Sequence, residues 1–373
     1  MKSRVIALYL PQFYETPENN EWWGKGYTDW VAVRSCKPNY KGHNQPRIPL
    51  NENYYSLDNP DTLRWQARLA KQYGVDGFCI YHYFSNGKLQ MNVPAELLLE
   101  NKDIDIDYYF SWANHDFAKQ WFNGDGHLLR KQEYGDRTIW EEHYNYLSDF
   151  FKDSRYIKIG NKPVFAIYNV FHISEFDEMM KLWNELAIKD GFDGLYIIAT
   201  KSNTNLKSED LLKSKWISKV FVFEPMNFRT NGLSGNLIYT TARRVKTVLI
   251  RMNNKIRPAH CIQEKYSIKK AYEAIICRDM LDDELYGIFT DWDNTPRYRE
   301  KSIIFVGAKL GLFEKYFEKV YAKSCNEEKP FLLVNAWNEW GESAYLEPDT
   351  VNKYGYLEII KRSIDQYEQA KAL

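Results

Sequence analysis

The chain has no excess of charge of either sign. Its 373 residues include 50 lysines and arginines and 50 aspartates and glutamates. A chain balanced in this way has no general attraction for nucleic acid or for an anionic membrane, although a local patch of one sign can still form. We therefore expect no nucleic-acid partner.

Long apolar runs and closely spaced cysteines are missing as well. No stretch approaches the roughly 20 apolar residues that cross a bilayer, so no transmembrane segment is predicted. The apolar run Val5–Leu10 is short and leads into Pro11, which favours a strand over a signal peptide. The five cysteines are odd in number and widely spaced, which indicates free thiols in a reducing compartment. These features predict a cytoplasmic protein.

Aromatic residues, by contrast, are abundant. They make up 16% of the chain, with 12 tryptophans and 28 tyrosines. Aromatic rings stack on the apolar faces of sugars, and tyrosine and tryptophan keep a polar atom for hydroxyl groups. A large core that uses aromatic residues would give the same composition, so composition alone leaves both interpretations open.

Short apolar segments alternate with helical ones along the whole chain. The eight predicted strands are Val5–Phe13, Gly77–Phe84, Tyr108–Ala113, Pro163–Tyr168, Leu195–Thr200, Val220–Glu224, Gly287–Asp291 and Phe331–Ala336. The predicted helices include Thr62–Gln72, Thr138–Phe151, Ser174–Ala187, Glu209–Trp216, Leu237–Met252, Ile268–Cys277, Glu300–Ala322 and Tyr356–Ala370. Strict alternation of strand and helix is typical of a (β/α)₈ TIM barrel.

An open doubly wound sheet is the structural alternative. Such sheets usually carry a glycine-rich phosphate turn after the first strand, whereas this strand ends in Leu10-Pro-Gln-Phe13. We therefore predict an α/β fold, a single (β/α)₈ barrel over residues 1–373, with long loops after strand 1 (Tyr14–Asp58) and strand 6 (Phe228–Arg278). Histidine and cysteine spacing indicates neither a metal site nor a cofactor.

In such a barrel, the residues that follow the strands meet in one active site. The last strand ends in Asn335-Ala-Trp-Asn-Glu-Trp-Gly-Glu342, which places two glutamates three residues apart. Glycoside chemistry needs one carboxyl group to protonate the leaving oxygen and a second to act as a base or stabilise positive charge. Glu339 and Glu342 are therefore the candidate catalytic residues. Two solvated glutamates on a loop are the alternative, although Trp337 and Trp340 favour a sheltered turn.

The predicted substrate-binding residues are mostly aromatic, amide or charged and lie near strand ends or in the first long loop. They are Tyr9, Trp22, Trp23, His43, Tyr81, His82, Tyr83, Trp112, Asn114, His115, Tyr168, Glu224, Asp291, Trp292, Asn294, Arg297, Trp337, Asn338 and Trp340.

Several of these residues have a structural alternative. His82 is either a sugar contact or a packed core histidine, and Glu224 is either a third active-site carboxylate or the partner of a basic residue. Arg297 either binds an anionic group or pairs with Asp293. Trp22, Trp23 and Trp30 form either a sugar platform or a lid that packs on the barrel.

Taken together, several motifs resemble those of the WbsX-like family, which is related to glycoside hydrolase family 99, the endo-α-1,2-mannosidases and mannanases. The matching segments are Ala7-Leu-Tyr-Leu-Pro-Gln-Phe13, Trp22-Trp-Gly-Lys-Gly-Tyr-Thr-Asp-Trp30, Gly42-His-Asn-Gln-Pro46, Tyr73-Gly-Val-Asp-Gly-Phe78, Trp112-Ala-Asn114, Asp293-Asn-Thr-Pro-Arg297 and Asn335–Asp349. They occur in order along nearly the whole chain.

The resemblance implies a retaining α-glycosidase with neighbouring-group participation. By this analogy, Glu339 deprotonates the sugar 2-hydroxyl, which attacks the anomeric carbon, and Glu342 acts as general acid and then as general base. Two segments depart from the family pattern. Asn114-His-Asp-Phe117 replaces Asn-Glu-Asn-Trp, and Tyr83-Phe-Ser85 replaces Tyr-Trp-Phe. These positions are expected to shape the sugar subsites, so the preferred sugar need not be mannose.

Two other functions fit the sequence. The first is a glycosyltransferase of O-antigen or capsular polysaccharide biosynthesis. Asp103-Ile-Asp105-Ile-Asp107 and Asp291-Trp-Asp293 match the metal-binding D-x-D pattern of such enzymes only trivially, and the former lies away from the predicted site. The second is a non-catalytic glycan-binding barrel. In all three cases the partner is an oligo- or polysaccharide.

A basic segment in the second long loop is a separate feature. It contains Arg243, Arg244, Lys246, Arg251, Lys255 and Arg257. Such a segment is usually a solvated face, and the functional alternative is peripheral contact with an anionic glycan, a membrane surface or the polysaccharide-assembly machinery.

Overall fold

Eight parallel β-strands close into a barrel, which confirms the predicted fold. The computed structural model describes residues 2–118, 127–201, 207–232, 237–257 and 262–372. The barrel strands are β1 (Arg4–Tyr9), β2 (Gly77–Ser85), β3 (Asp107–Trp112), β4 (Lys162–Ile167), β5 (Tyr196–Lys201), β6 (Ile217–Val222), β7 (Glu284–Leu285 and Gly287–Phe289) and β8 (Phe331–Asn335). Neighbouring strands pair in parallel around the ring, and β1 also pairs with β8.

The barrel closes through β7, which is interrupted at Tyr286. Its first segment pairs with β6 and its second with β8, so together the two segments act as one strand. The strands are almost fully buried because helices cover their outer faces and side chains fill the interior.

The helices of the structure, in chain order, lie mostly between successive strands. They are α1 (Pro17–Trp23), α2 (Asp29–Arg34), α3 (Pro60–Gln72), α4 (Val93–Glu100), α5 (Arg137–Phe151), α6 (Phe176–Lys189), α7 (Ser208–Leu211), α8 (Met226–Asn231), α9 (Leu237–Ile256), α10 (Ile268–Cys277), α11 (Thr295–Tyr298), α12 (Leu310–Asn326) and α13 (Gly355–Ala372). No helix in the described part of the chain is both long and apolar enough to cross a membrane.

Both predicted long loops are present and carry structure of their own. The loop after β1 contains α1 and α2, and the loop after β6 contains α8, α9 and α10. A small sheet joins the segment before β7 to the segment after β7. In this sheet, Ile303–Val306 pairs with Glu264–Ser267 and with Trp292–Asp293. This sheet covers the carboxyl end of the barrel on one side.

The predicted helix Glu300–Ala322 is wrong in its first part. Ile303–Val306 is a strand, and α12 begins only at Leu310. The segment Ile303-Ile-Phe-Val306 is β-branched and aromatic, a composition that favours strands, and Gly307 follows it with a positive φ of 95°. The predicted helix Glu209–Trp216 is also too long, because α7 ends at Leu211.

Candidate active site

A cavity of about 570 Å³ opens at the carboxyl end of the barrel. Aromatic side chains in or after five of the barrel strands line it, including Tyr81, Phe117, Tyr168, Phe223 and Trp292. Glu339, Glu342 and Arg297 lie in the same wall. The cavity therefore combines ring faces suited to sugars with carboxyl groups suited to acid–base chemistry.

The turn after β8 is held in place by Asn338. Its side-chain Oδ1 accepts a hydrogen bond from the Leu10 amide at 2.7 Å, and its Nδ2 donates to the Leu10 carbonyl at 3.0 Å. The Asn338 side chain thereby continues the pairing between β1 and β8 beyond the end of the strands. Glu339, the next residue, consequently leaves the barrel from a fixed backbone position.

Trp340 anchors the other side of this turn. Its ring stacks on Tyr345 with a centroid distance of 3.7 Å, and its Nε1 donates to Glu347 at 2.6 Å. Glu347 also accepts hydrogen bonds from Gln66 and Tyr55. Burial raises the pKa of Glu347 to about 7, and the hydrogen bonds that it accepts oppose that rise. The packing holds the short 3₁₀ turn Trp340–Glu342 rigid.

Arg297 is the electrostatic centre of the site. Its Nη2 lies 2.7 Å from Glu339 Oε1 and 2.5 Å from Asp29 Oδ2, and its Nη1 lies 3.3 Å from Glu342 Oε1. One guanidinium therefore forms ion pairs with three carboxyl groups. Arg297 comes from α11, Asp29 from α2, and both glutamates from the turn after β8.

The two glutamates are both shifted toward their protonated forms. Burial raises the pKa of Glu339 and of Glu342, and the Arg297 guanidinium opposes that rise for each. The side chain of Glu342 is 18% exposed and that of Glu339 is 9% exposed. Because the two groups share one cation, they titrate as a pair rather than independently.

Gly341, between the two glutamates, makes room for Arg297. A Cβ atom at this position would lie 2.7 Å from Arg297 Nε and 3.0 Å from its Cζ. The guanidinium therefore packs directly against the glycine backbone. This contact explains why a glycine separates Trp340 from Glu342 in the motif.

The Gly341→Ala variant is expected to lose at least about ten-fold in kcat/KM, because a displacement of Arg297 by less than an ångström is enough to misplace both carboxyl groups. Its melting temperature should fall by only a few degrees. Gly311→Ala, at a position where a Cβ would contact nothing within 4 Å, is the matched control. Equal activity of the two variants would show that Arg297 does not position the pair.

The cavity brings together nine of the predicted site residues. They are Tyr81, Tyr83, His115, Tyr168, Trp292, Asn294, Arg297, Glu339 and Glu342. Burial lowers the pKa of His115 to about 4, so its imidazole is neutral near pH 7. Pairing with Asp293 was one of two alternatives for Arg297. Asp293 is bound by His43 and Gln45, and Arg297 forms its ion pairs with Asp29, Glu339 and Glu342.

Tyr9, His82 and Trp112 do not reach the cavity. Side chains alternate along a strand, and these three point outward into the layer between barrel and helices. Tyr9 donates to Gln66, His82 hydrogen-bonds His143 at 2.8 Å, and Trp112 donates to the Phe84 carbonyl. Burial lowers the pKa of His82 to about 3. Of the two alternatives for His82, the structure therefore shows a packed core histidine and not a sugar contact.

Other predicted residues support the site from behind. Trp337, Asn338 and Trp340 are fully buried in the turn after β8. Asn114 is fully buried and exchanges hydrogen bonds with the Asn169 backbone. These residues lie at strand ends, as expected, but the polar side-chain atoms of Asn114, Asn338 and Trp340 are used by the protein rather than offered to a ligand.

Of the two alternatives for Glu224, the structure shows the second, since Glu224 pairs with a basic residue. Its Oε1 lies 2.6 Å from Arg278 Nη2, and its Oε2 accepts the Phe228 amide at the start of α8. Glu224 is fully buried and outside the cavity lining. It therefore fixes α8 and the segment before β7.

His43 and Asp291 face a different cavity of about 240 Å³. His43 Nε2 lies 2.6 Å from Asp293, and Arg47 lies 2.6 Å from Asp291. The ring of Trp22 lies 5.5 Å from that of Phe117, which lines the larger cavity, and Trp23 packs near Tyr27. Trp30 is a packing residue, since it is buried among Phe13, Tyr55 and Trp340.

Asp29 and Glu347 contact the candidate site residues and were not predicted. Asp29 is 1% exposed and holds Arg297, yet it lies 268 positions away from Arg297 in the chain. Glu347 lies five residues after Glu342 in the resembling segment Asn335–Asp349, which was the only available signal for it. In the described part of the chain, no group of three or more histidine, cysteine, aspartate and glutamate side chains is arranged to hold a metal ion.

A family model described as "Glycosyltransferase WbsX" matches residues 5–360. The chain belongs to this family. Two curated relatives, both named "Uncharacterized protein WxcX" and from two strains of Xanthomonas campestris pv. campestris, B100 and ATCC 33913, are each 26% identical to this WbsX chain over 98% of its length. The chain spans about half the length of these relatives, which are covered to 50%.

Solved structures show the same fold. A GH99 endo-alpha-mannosidase from Bacteroides thetaiotaomicron superposes with a TM-score of 0.57 at 12% identity, covering 99% of both chains. A protein described as "Glycoside hydrolase-like protein" superposes with a TM-score of 0.58 at 13% identity, covering 97% of this chain and 94% of the other. At these identities the likeness to the two solved structures is one of fold.

Proposed function

We propose that the protein is a retaining glycoside hydrolase or transglycosidase that acts on an α-linked glycan through Glu339 and Glu342. The observation that carries the proposal is the placement of both carboxyl groups on Arg297 in the wall of the aromatic-lined cavity. A sugar ring that stacks on the tyrosines of that wall would bring its reacting atoms to the pair.

Arg297 makes the two glutamates unequal. Burial alone favours a proton on Glu339, which is the more enclosed of the two, whereas the shorter ion pair of 2.7 Å favours the negative charge there. Glu342 is farther from the guanidinium, at 3.3 Å, and more exposed. The pKa of Glu339 is nevertheless raised to about 8 by burial. For the reaction we assign the proton to Glu342, because the direct ion pair with Arg297 favours the anion at Glu339 more than the longer contact favours it at Glu342.

This assignment agrees with the roles implied by family 99. Glu339, as the anion, would take the proton of the sugar 2-hydroxyl, whose oxygen attacks the anomeric carbon. Glu342 would protonate the departing glycosidic oxygen. In the second half of the reaction, Glu342 would remove a proton from water or from an acceptor hydroxyl. The oxygen of that molecule would attack the anomeric carbon and open the anhydro intermediate. The proton on Glu339 would then return to the 2-oxygen.

The net charge of the cluster suits the transition state. One guanidinium faces Asp29, Glu339 and Glu342, so the cluster stays negative even when Glu342 carries a proton. Glycosidic cleavage develops positive charge at the anomeric carbon, which a buried negative cluster stabilises. Arg297 thus favours the ionised form of the base without neutralising the site.

A glycosyltransferase is the second candidate, and the family description favours it. The D-x-D pattern at Asp291 and Asp293 offers it little support, because these carboxylates are engaged by Arg47 and by His43 and Gln45. Both residues also lie outside the lining of the cavity that holds the glutamate pair.

Product analysis separates the two candidates. The protein is incubated with a panel of α-linked oligosaccharides and, separately, with sugar nucleotides, a divalent cation and acceptor glycans. Glycosidic cleavage with retained anomeric configuration, seen by proton NMR, is the expected result, with Glu342→Gln as the inactive control. Transfer that requires a nucleotide donor would overturn the hydrolase assignment. Binding of glycans without turnover in either assay would indicate a non-catalytic barrel.

A further inference from the structure

Helix α9, in the loop after β6, exposes an apolar stripe. Ile238, Val245, Leu249, Met252 and Ile256 are each between 54% and 86% exposed. With about 100° of rotation per residue, all five lie within roughly 40° of one line along the helix. Val248 extends the stripe on one side. These six residues are almost half of the fourteen large apolar side chains that are exposed in the described part of the chain.

The opposite face of α9 holds the helix on the protein. Ile250 is buried, Thr247 lies 3.2 Å from the Tyr266 hydroxyl, and Arg243 donates to the Arg229 and Thr230 carbonyls. The helix is therefore docked by one side, and its apolar stripe points away from the barrel. Such a contiguous exposed stripe marks an interaction surface.

The charges around the stripe are all of one sign. Residues 237–257 contain six basic side chains and no aspartate or glutamate, in a chain whose total charge is zero. By helical geometry, Lys246 flanks the stripe on one side, and Arg244 and Lys255 flank it on the other. An apolar face with a basic rim is the pattern of a helix that lies in the plane of an anionic lipid surface.

We propose that α9 attaches the protein peripherally to an anionic lipid bilayer. Its apolar stripe would enter the headgroup region, and its basic rim would contact the lipid phosphates. Pairing with the same helix of a second copy is disfavoured, because it would bring two basic rims together without any acidic partner on α9. The charge complementarity therefore favours lipid over self-association.

The position of α9 links this surface to the candidate active site. Glu264 lines the cavity, accepts a hydrogen bond from Arg251 of α9 at 2.9 Å and forms an ion pair with Arg229 at 3.1 Å. Docking through α9 would hold the cavity close to the bilayer. If the proposed function holds, the substrate class is consequently a glycan attached to a membrane-embedded lipid.

Vesicle co-sedimentation of the intact protein tests the attachment without any turnover. We expect binding to phosphatidylcholine vesicles that contain about 30% phosphatidylglycerol, weak binding to phosphatidylcholine alone, and release by salt. Leu249→Glu should weaken binding at least about ten-fold, and Lys255→Glu at least about five-fold. The matched controls are Ile188→Glu and Lys181→Glu on α6, which are exposed changes of the same kind.

Equal binding by the α9 variants and the α6 controls, with all four folded by circular dichroism, would overturn the proposal. So would equal binding to both vesicle types. A dimer seen by analytical ultracentrifugation that Leu249→Glu dissociates, together with no vesicle binding, would instead assign the stripe to a second copy of the chain. An inactive protein that still binds vesicles would refute the proposed function and leave the attachment intact.

Discussion

Replacing Glu342 by glutamine is expected to lower kcat for an α-linked oligosaccharide by about 10³-fold, since a general acid typically contributes that much. Glutamine keeps the size of the side chain and loses the proton that the leaving oxygen needs. Replacing Glu339 by glutamine is expected to be at least as harmful, because the sugar 2-hydroxyl then has no base. Steady-state kinetics on the purified variants measures both effects.

The two roles are separated by the leaving group. A good leaving group, such as the fluoride of an α-glycosyl fluoride, departs without a proton, so the first step of Glu342→Gln, measured as the initial release of fluoride, should largely return on this substrate. Glu339→Gln should stay inactive, because attack by the 2-hydroxyl is needed for either substrate. If Glu339→Gln recovered on the glycosyl fluoride and Glu342→Gln did not, the roles of the two glutamates would be exchanged. Equal losses on both substrates would contradict the assignment of Glu342 as the acid.

The Arg297→Met variant is expected to lose about 3–5 kcal/mol of folding free energy at neutral pH, because it leaves buried carboxylates without a cation. Arg297 opposes the burial that raises the pKa of Glu339 and Glu342, so both values should rise further in the variant. A carboxyl group whose pKa is raised by folding is stabilising when protonated. The loss should therefore grow from acidic to neutral pH, as followed by urea denaturation.

The same substitution should move the pH–rate profile. With a higher pKa, the base is ionised only at higher pH, so the acidic limb of kcat/KM should shift upward. Arg47→Met removes the cation of another buried pair, with Asp291, outside the cavity that holds the glutamate pair. It should destabilise the fold and leave the pH profile unchanged. If the pH–rate profile of Arg297→Met were not shifted, Arg297 would have a structural role only.

The barrel itself could be predicted from the sequence because it is encoded locally. Each strand is a short apolar run, and each covering helix has its own apolar periodicity, so the alternation is visible without any knowledge of contacts. The segment Ile303–Val306 escaped prediction because its pairing partners, Glu264–Ser267 and Trp292–Asp293, lie elsewhere in the chain. A short apolar run beside a helix does not reveal whether it continues that helix.

Which side chains reach the cavity was decided only in part by the sequence. Alternation along β2 means that Tyr81 and Tyr83 must face opposite to His82, but not which of the two sets faces inward. The tertiary structure decides which set faces inward: His82 hydrogen-bonds His143, and the two tyrosines line the cavity. A polar residue at a strand end was therefore not enough to identify a ligand contact.

By itself the sequence determined the barrel, the adjacent placement of Glu339 and Glu342, and the basic character of α9, all of which are local properties of short segments. Only the tertiary structure decided that Asp29, Arg297 and the two glutamates form one cluster, and that the apolar face of α9 points outward. These features depend on contacts between residues far apart in the chain, and such contacts exist only once the backbone has closed into the barrel.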